Sequence, residues 1–415
     1  MSATQNTIQD GAFKQLWMDG VQDDLNKALV AKGVCTVDTR ATRIFHNPFN
    51  STPVGSNGTK QTAYTAEAMT STDDTLTVQQ RATAAEQIDS YEQLMTSYDL
   101  MSQQAQRQAY RIADYIDQYV LNMAANKSGI KQVDNGYISS GVNDSTGYAI
   151  SSSNANTIAN AITELLSLGS AQLNKGLFWI VTPYERTAIL AYAQSHGFNV
   201  ADGTITAGVN GSVGKNFGGL DLFVSNNLTH TTNLTIATNP TANDYITLVV
   251  NGRAVKFTFV SSATTAGQVK IGGSASATQG NLVLAINGTG VGDGTDYFEL
   301  ATADRLALKM AAPQSSPGTY AIAAAFATNV SALTVYGSLK VAKSLTAGGD
   351  GFSTVIRKTI AGVYGSIFLG LPADGMTFKH KLVSGQHPDE IVTAQVYDAT
   401  IWNNMKPEVA VVFTS

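Results

Sequence analysis

GVNGSVGKNFGGLDLFVSNNL, residues 208–228, is the stretch most suggestive of chemistry. Glycines at 208, 211, 214, 218 and 219 surround a Gly214–Lys215 pair. The backbone amides of such a loop, with its lysine, can cradle phosphate when the spacing is G-x-x-x-x-G-K-[ST] and a helix follows. Here the first glycine should stand at 209, which is Val, and the magnesium-binding hydroxyl at 216, which is Asn. The residues that follow, LDLFVS, have the character of a strand. The match fails on both positions and on context, and a glycine hairpin is the better reading. NGTGVGDGTD (287–296) also lacks dinucleotide spacing. Its Asp293 and Asp296, with Glu299, do not follow the ligand order of a calcium loop, so a solvated turn is expected.

Other chemistry finds no constellation. The histidines at 46, 196, 230, 380 and 387 are scattered, without an H-E-x-x-H or H-x-H pair. No G-x-S-x-G elbow occurs, and the carboxylates are thin and unclustered. Cys35 is the sole cysteine, which excludes an internal disulfide framework and a multi-cysteine metal site. In KGVCTV it reads as a small core residue. The expectation is therefore no catalytic residue, no metal and no cofactor.

Composition points elsewhere. Hydrophobic residues make up 43% of 415, enough for sizeable cores, but charged residues only 14%, against roughly 25% in ordinary soluble domains. So little surface charge protects poorly against self-association and suits a protein packed against its own copies. A formal net charge of −5 with no Lys/Arg block argues against nucleic-acid grip as the main task. No basic n-region precedes an apolar run at the N-terminus, and no apolar segment approaches 18 residues, so neither a secretory signal nor a membrane span is read.

The elements that would position any site follow from periodicity. Residues 7–32 read as a helix closed by Gly33. Residues 41–80 are rich in Thr, Ser, Asn and Gly, with an Asn57–Gly58 hairpin signal, and read as an extended arm with no partner in its own chain. From 84 to 125 apolar residues recur at helical spacing, as a long strut that begins near 98–100 or is broken there. NANTIANAITELLSLGSAQL is a second helix with Asn154 or Asn156 as N-cap, KGLFWIVTP a strand buried on both faces, and Pro183 opens a third helix. DYITLVVNGRAVKFTFV is a hairpin about Asn251–Gly252. QGNLVLAIN reads as a short helix, YFELATADRLALKMAA and ALTVYGSLKVAK as further strands. Residues 229–350 read as an inserted, mainly β domain, after which 351–415 returns to the composition and patterning of the chain before the insertion. The fold class is α+β.

This order of elements resembles that of a major capsid (coat) protein of a tailed bacteriophage, the fold shared with herpesviruses. VGKNFGGLDLFVSNNL resembles the glycine-rich phrase that closes the hairpin before an inserted domain in that family. GLFWIVTPYERTAIL resembles its buried strand and Pro-led helix, and NNMKPEVAVV its C-terminal strand. The resemblance covers the chain outside the insertion. It implies an N-terminal helical arm (1–40), an extended loop (41–83), a spine helix and peripheral domain (84–149), an axial domain (150–228), the insertion (229–350), an axial return (351–375) and peripheral return strands (376–415). It implies a structural, non-enzymatic subunit that self-assembles as hexamers and pentamers into an icosahedral shell around the phage genome. Implied partners are other copies of the chain, a separate scaffolding protein and a portal, with DNA touched only weakly and non-specifically and no membrane. The subunit would be made in the host cytoplasm and reside in the virion. Assembly contacts would fall at Trp17, Phe49, Pro53, Asn57, Gly58, Lys60 and Tyr64. Lys60 is the loop's one lysine, but no positioned acid for a lysine–asparagine cross-link can be named. A secreted or cell-surface β-rich adhesin or array protein is the alternative that composition leaves open.

Overall fold

Leu100–Asn126 forms a 27-residue helix, about 40 Å long at 1.5 Å per residue. It stands in a computed structural model that describes residues 29–50, 71–89, 100–168, 175–196, 212–382 and 388–415, apart from 251, 291 and short breaks between 312 and 354. The chain divides into two units, Met1–Met123 with Tyr364–Pro407, and Ala124–Val363 with Glu408–Ser415. Each mixes helices and sheet.

In the first unit the helix buries Ala105, Gln108, Ala109, Ile112, Ala113, Ile116, Asp117 and Val120, a stripe at three- and four-residue spacing. The long strand Pro388–Thr400 pairs antiparallel with Gln80–Asp89 over ten residues, Tyr397↔Gln80 to Pro388↔Asp89, and with Met376–Leu382. Its last residues pair with Phe368–Gly370, which pairs in parallel with Thr36–Asp38. Polar and aromatic contacts fasten helix to strand. Thr393 Oγ1 donates to Gln108 Oε1 at 2.6 Å, Tyr119 Oη donates to Asp398 Oδ1 at 2.8 Å, and the Tyr119 and Tyr397 rings meet edge to face.

The helix begins at Leu100, as one of the two expected readings had it, and the helical spacing read over 84–89 is corrected by this ladder. Ala82 and Ala84 are buried at period two, and pairing with 388–397 gives backbone partners to a segment whose helical spacing was only apparent. The unpartnered arm is also corrected. Ile44–Asn50 pairs antiparallel with Ser71–Thr77, from Ile44↔Thr77 to Asn50↔Ser71. Phe45, Val78 and Trp402 form the small core beneath it, with Phe45 edge-on to Phe368 at 5.3 Å. Asn403 donates its backbone and side-chain N–H groups to Asp74. Of the helix expected over 7–32, residues up to 28 lie outside the described residues, and Ala31–Gly33 is a single 3-10 turn. The Asp117 carboxylate accepts the amides of Val30 and Ala31, both at 2.9 Å.

The second unit is built on a ten-stranded sheet. Ile356–Val363 lies at its centre. Val409–Thr414 runs along one edge of it, and Thr229–Thr235 then Leu177–Val181 along the other. All five residues of Leu177–Val181 are buried, as an unbroken apolar strand should be. Trp179 donates its indole N–H to Thr359 Oγ1 at 2.9 Å. The helices Ala155–Ser167 and Pro183–Ser195 supply Ile158, Ile162, Leu166 and Ile189 to the same core.

Within 229–350, Gln268–Lys270, Arg253–Val260, Tyr245–Val250 and Leu339–Ser344 form a four-stranded sheet. The expected hairpin is present, with Val250↔Arg253 and Gly252 at φ +82°. Phe257, Phe259, Leu248 and Leu282 pack in its core. Ala275–Asn287 is the expected helix. Thr302–Ala311, expected as strand, is also helical; its Ala, Leu, Lys and Met favour helix, and that preference overrides the short alternation of Leu306, Leu308 and Met310. Thr229–Thr235 pairs with Val330–Tyr336 on one side and with Ile356–Lys358 on the other. The segment therefore shares backbone hydrogen bonds with the sheet it interrupts.

Candidate functional site

The glycine stretch is a hairpin. Ser212–Phe217 and Leu220–Val224 are its strands, and Gly218 and Gly219 turn it at φ +63° and +85°. Gly218 also lies against the helix Ala155–Ser167, where a Cβ would come within 2.8 Å of Ala159 Cβ and where Thr163 Oγ1 donates to its carbonyl at 3.1 Å. The glycines serve a turn and a close approach rather than a phosphate. Lys215 sits on the outermost strand of the sheet.

The acidic trio forms no cage. Asp293 accepts the Thr295 amide at 3.0 Å, and Glu299 pairs with Arg305. No group of three His, Cys, Asp or Glu residues able to hold a metal occurs among the described residues. His46 pairs with Asp73 at 2.8 Å across the arm hairpin, and His196 stacks on Tyr192. His380 lies on Met376–Leu382, and His387 is outside the described residues. Burial, and the charge of Asp117 after it, raise the Cys35 thiol, so it is no nucleophile at neutral pH. Among the described residues no helix is long and apolar enough to cross a membrane.

Of the expected contact residues, Trp17, Pro53, Asn57, Gly58, Lys60 and Tyr64 lie outside the described residues, and Phe49 is paired through its backbone opposite Thr72.

A motif search for catalysts passes over one buried polar node, at the start of Pro183–Ser195. Its signal is Thr182-Pro-Tyr-Glu185, a capping box with proline in the first turn. Glu185 is fully buried. Its Oε2 accepts the Thr182 amide at 2.9 Å and the Thr182 hydroxyl, and its Oε1 accepts Thr414 Oγ1 at 2.5 Å, with Arg357 Nε at 3.9 Å. Burial raises the Glu185 carboxyl, against the lowering effects of Thr414 and Arg357. The Arg357 guanidinium lies over the Tyr184 ring, 4.0 Å from its centroid, and its Nη1 is buried with no acceptor. His230 is pushed down to about 4, by burial first and Arg357 second. With both oxygens of Glu185 engaged, the node joins the helix Pro183–Ser195, the central strand and the C-terminal strand.

Residues 87–271 match the family model described as phage capsid protein. No curated protein matches the chain. Among solved structures, the chain is similar to the capsid of the cyanophage P-SCSP1u, at 10% identity over 92% of this chain and 86% of that one, with a TM-score of 0.45. A structure of Mycobacterium phage Bobi gives 10% identity, 94% and 91% coverage and a TM-score of 0.46. A virus-like particle from Pyrococcus furiosus gives 8% identity, 96% and 99% coverage and 0.43.

Proposed function

We infer that this chain is a phage capsid protein, the structural subunit that self-assembles into the icosahedral shell of a tailed bacteriophage. The match of residues 87–271 to the phage capsid family carries this reading. It begins in the strand Gln80–Asp89, takes in the spine helix and the glycine hairpin, and ends beside the sheet of the 229–350 segment. The scarcity of charge, 14% of residues, supports it, because surfaces that meet copies of themselves gain from being poorly hydrated. An adhesin or array protein is not favoured by that match. The role is structural, with no enzymatic step assigned.

The finer assignments are ours. The partners are copies of the chain arranged as hexamers and pentamers, a separate scaffolding protein and a portal, with weak non-specific contact to packaged DNA. Residues 84–149 and 376–415 form the peripheral wall, 150–228 and 351–375 the part nearest the capsomer axis, and 229–350 an inserted domain. The arm of 41–83 reaches a neighbour, with Trp17, Phe49, Pro53, Asn57, Gly58, Lys60 and Tyr64 as contact residues. Synthesis takes place in the host cytoplasm and the finished subunit resides in the virion. Negative-stain microscopy of the full chain, expressed alone and together with its neighbouring genes, tests the reading. Rings or closed shells are expected in at least one preparation. Only monomers or small oligomers in both would overturn it.

A further inference from the structure

Beside the buried node lies a cavity of about 130 Å³, lined by Thr182, Tyr184, Asn226, His230, Lys340 and Arg357 among others. The space admits several waters or a small anion such as acetate or phosphate. Its lining is unbalanced in charge. Arg357 and Lys340 bring two cations to the cavity, and the nearby Glu185 is already saturated by Thr182 and Thr414. Arg357 holds one edge toward Glu185 and one face on Tyr184, which leaves the buried Nη1 without an acceptor. A buried guanidinium donor left unpaired is costly, and its natural complement is an anionic oxygen. Asn226 also lines the cavity, beside the first turn of Pro183–Ser195. His230, held neutral by the same burial and the same arginine, donates Nδ1–H to the Leu228 carbonyl at 3.2 Å in one tautomer.

We propose that this cavity binds one small oxyanion, a carboxylate or phosphate, between Arg357 Nη1 and Lys340. This does not depend on the shell reading and adds a ligand to it. Equilibrium dialysis of the full-length protein against radiolabelled phosphate, at neutral pH and an ionic strength fixed with sodium chloride, tests it in any state of assembly. Saturable binding of one phosphate per chain is expected, displaced by acetate. Arg357→Gln should abolish it, a loss of about tenfold or more for a charge-assisted bond. Lys340→Gln, at an exposed position, should weaken it about two- to fivefold, as for an exposed ion pair. Should Arg357→Gln fail to fold, as judged by circular dichroism, Lys340→Gln alone decides. No saturable binding above chloride competition, or the same midpoint in the folded variants as in the wild type, would overturn the proposal.

Discussion

Asp117 carries a buried carboxylate that holds the amides of Val30 and Ala31, yet burial outweighs those bonds and pushes it up to about 7 from an ordinary value near 3.8. A group whose folded value lies above its unfolded one binds more protons in the folded state between the two. Its contribution to stability is thus fully present below about pH 4 and is lost as pH rises to about 7. Denaturant titration across that window should show the loss, and Asp117→Asn should flatten the slope. The same variant should cost little at low pH, because the amide, like the protonated carboxyl it replaces there, has one good acceptor oxygen for the two N–H groups. The adjacent glycines 218 and 219 make a second test at this scale. Gly219→Ala meets only an unfavourable φ and should cost about 1 kcal/mol. Gly218→Ala also meets Ala159 and should cost clearly more by thermal denaturation, with Ala159→Gly restoring part of the loss. Equal costs would show that Ala159 gives way. The φ requirement was legible in the Gly-Gly pair. Asp117 was not, because nothing in DYIDQYV distinguishes an aspartate that will be buried beneath another segment's amides.

Elements with a strong local period were readable: the buried strand LFWIV, the Pro-led helix after it, the hairpin at Asn251–Gly252 and the helix in NLVLAIN all stand where spacing placed them. What failed was decided by distant pairing. Residues 80–89 meet their partner about three hundred positions later, at 388–397, and a ladder of that length overrides a weak helical pattern. The arm is similar: its hairpin rests on Phe45, whose partners Phe368 and Trp402 belong to the far end of the chain. A Cβ on Gly370 would come within 2.6 Å of the Phe45 ring, so the ring is seated where nothing larger than glycine fits below it. Phe45→Ala should cost about 3–4 kcal/mol. Hydrogen exchange should rise first in Ile44–Asn50 and Ser71–Thr77, leaving Leu177–Val181 protected. Uniform loss of protection would mean that the arm is not a separate cooperative element.

At the scale of the whole molecule, few charges mean few screened contacts. Shells or rings of this subunit should survive an increase from about 0.05 to about 0.5 M sodium chloride with little dissociation, because ionic strength acts mainly on exposed charges. Light scattering across that range checks it, and disassembly with rising salt would show that a minority of ion pairs holds the assembly together. The central strand of the second unit, Ile356–Val363, has Val409–Thr414 along one edge, and that strand also pairs with Lys131–Val133. Every residue of Val409–Thr414 is buried. A ribosome that has reached codon 408 has thus not yet made the strand on which the core of that unit closes. A chain cut short before Val409 would leave one edge of Ile356–Val363 unpaired, and an open strand edge of that kind marks a chain for proteolysis or for pairing with the wrong partner.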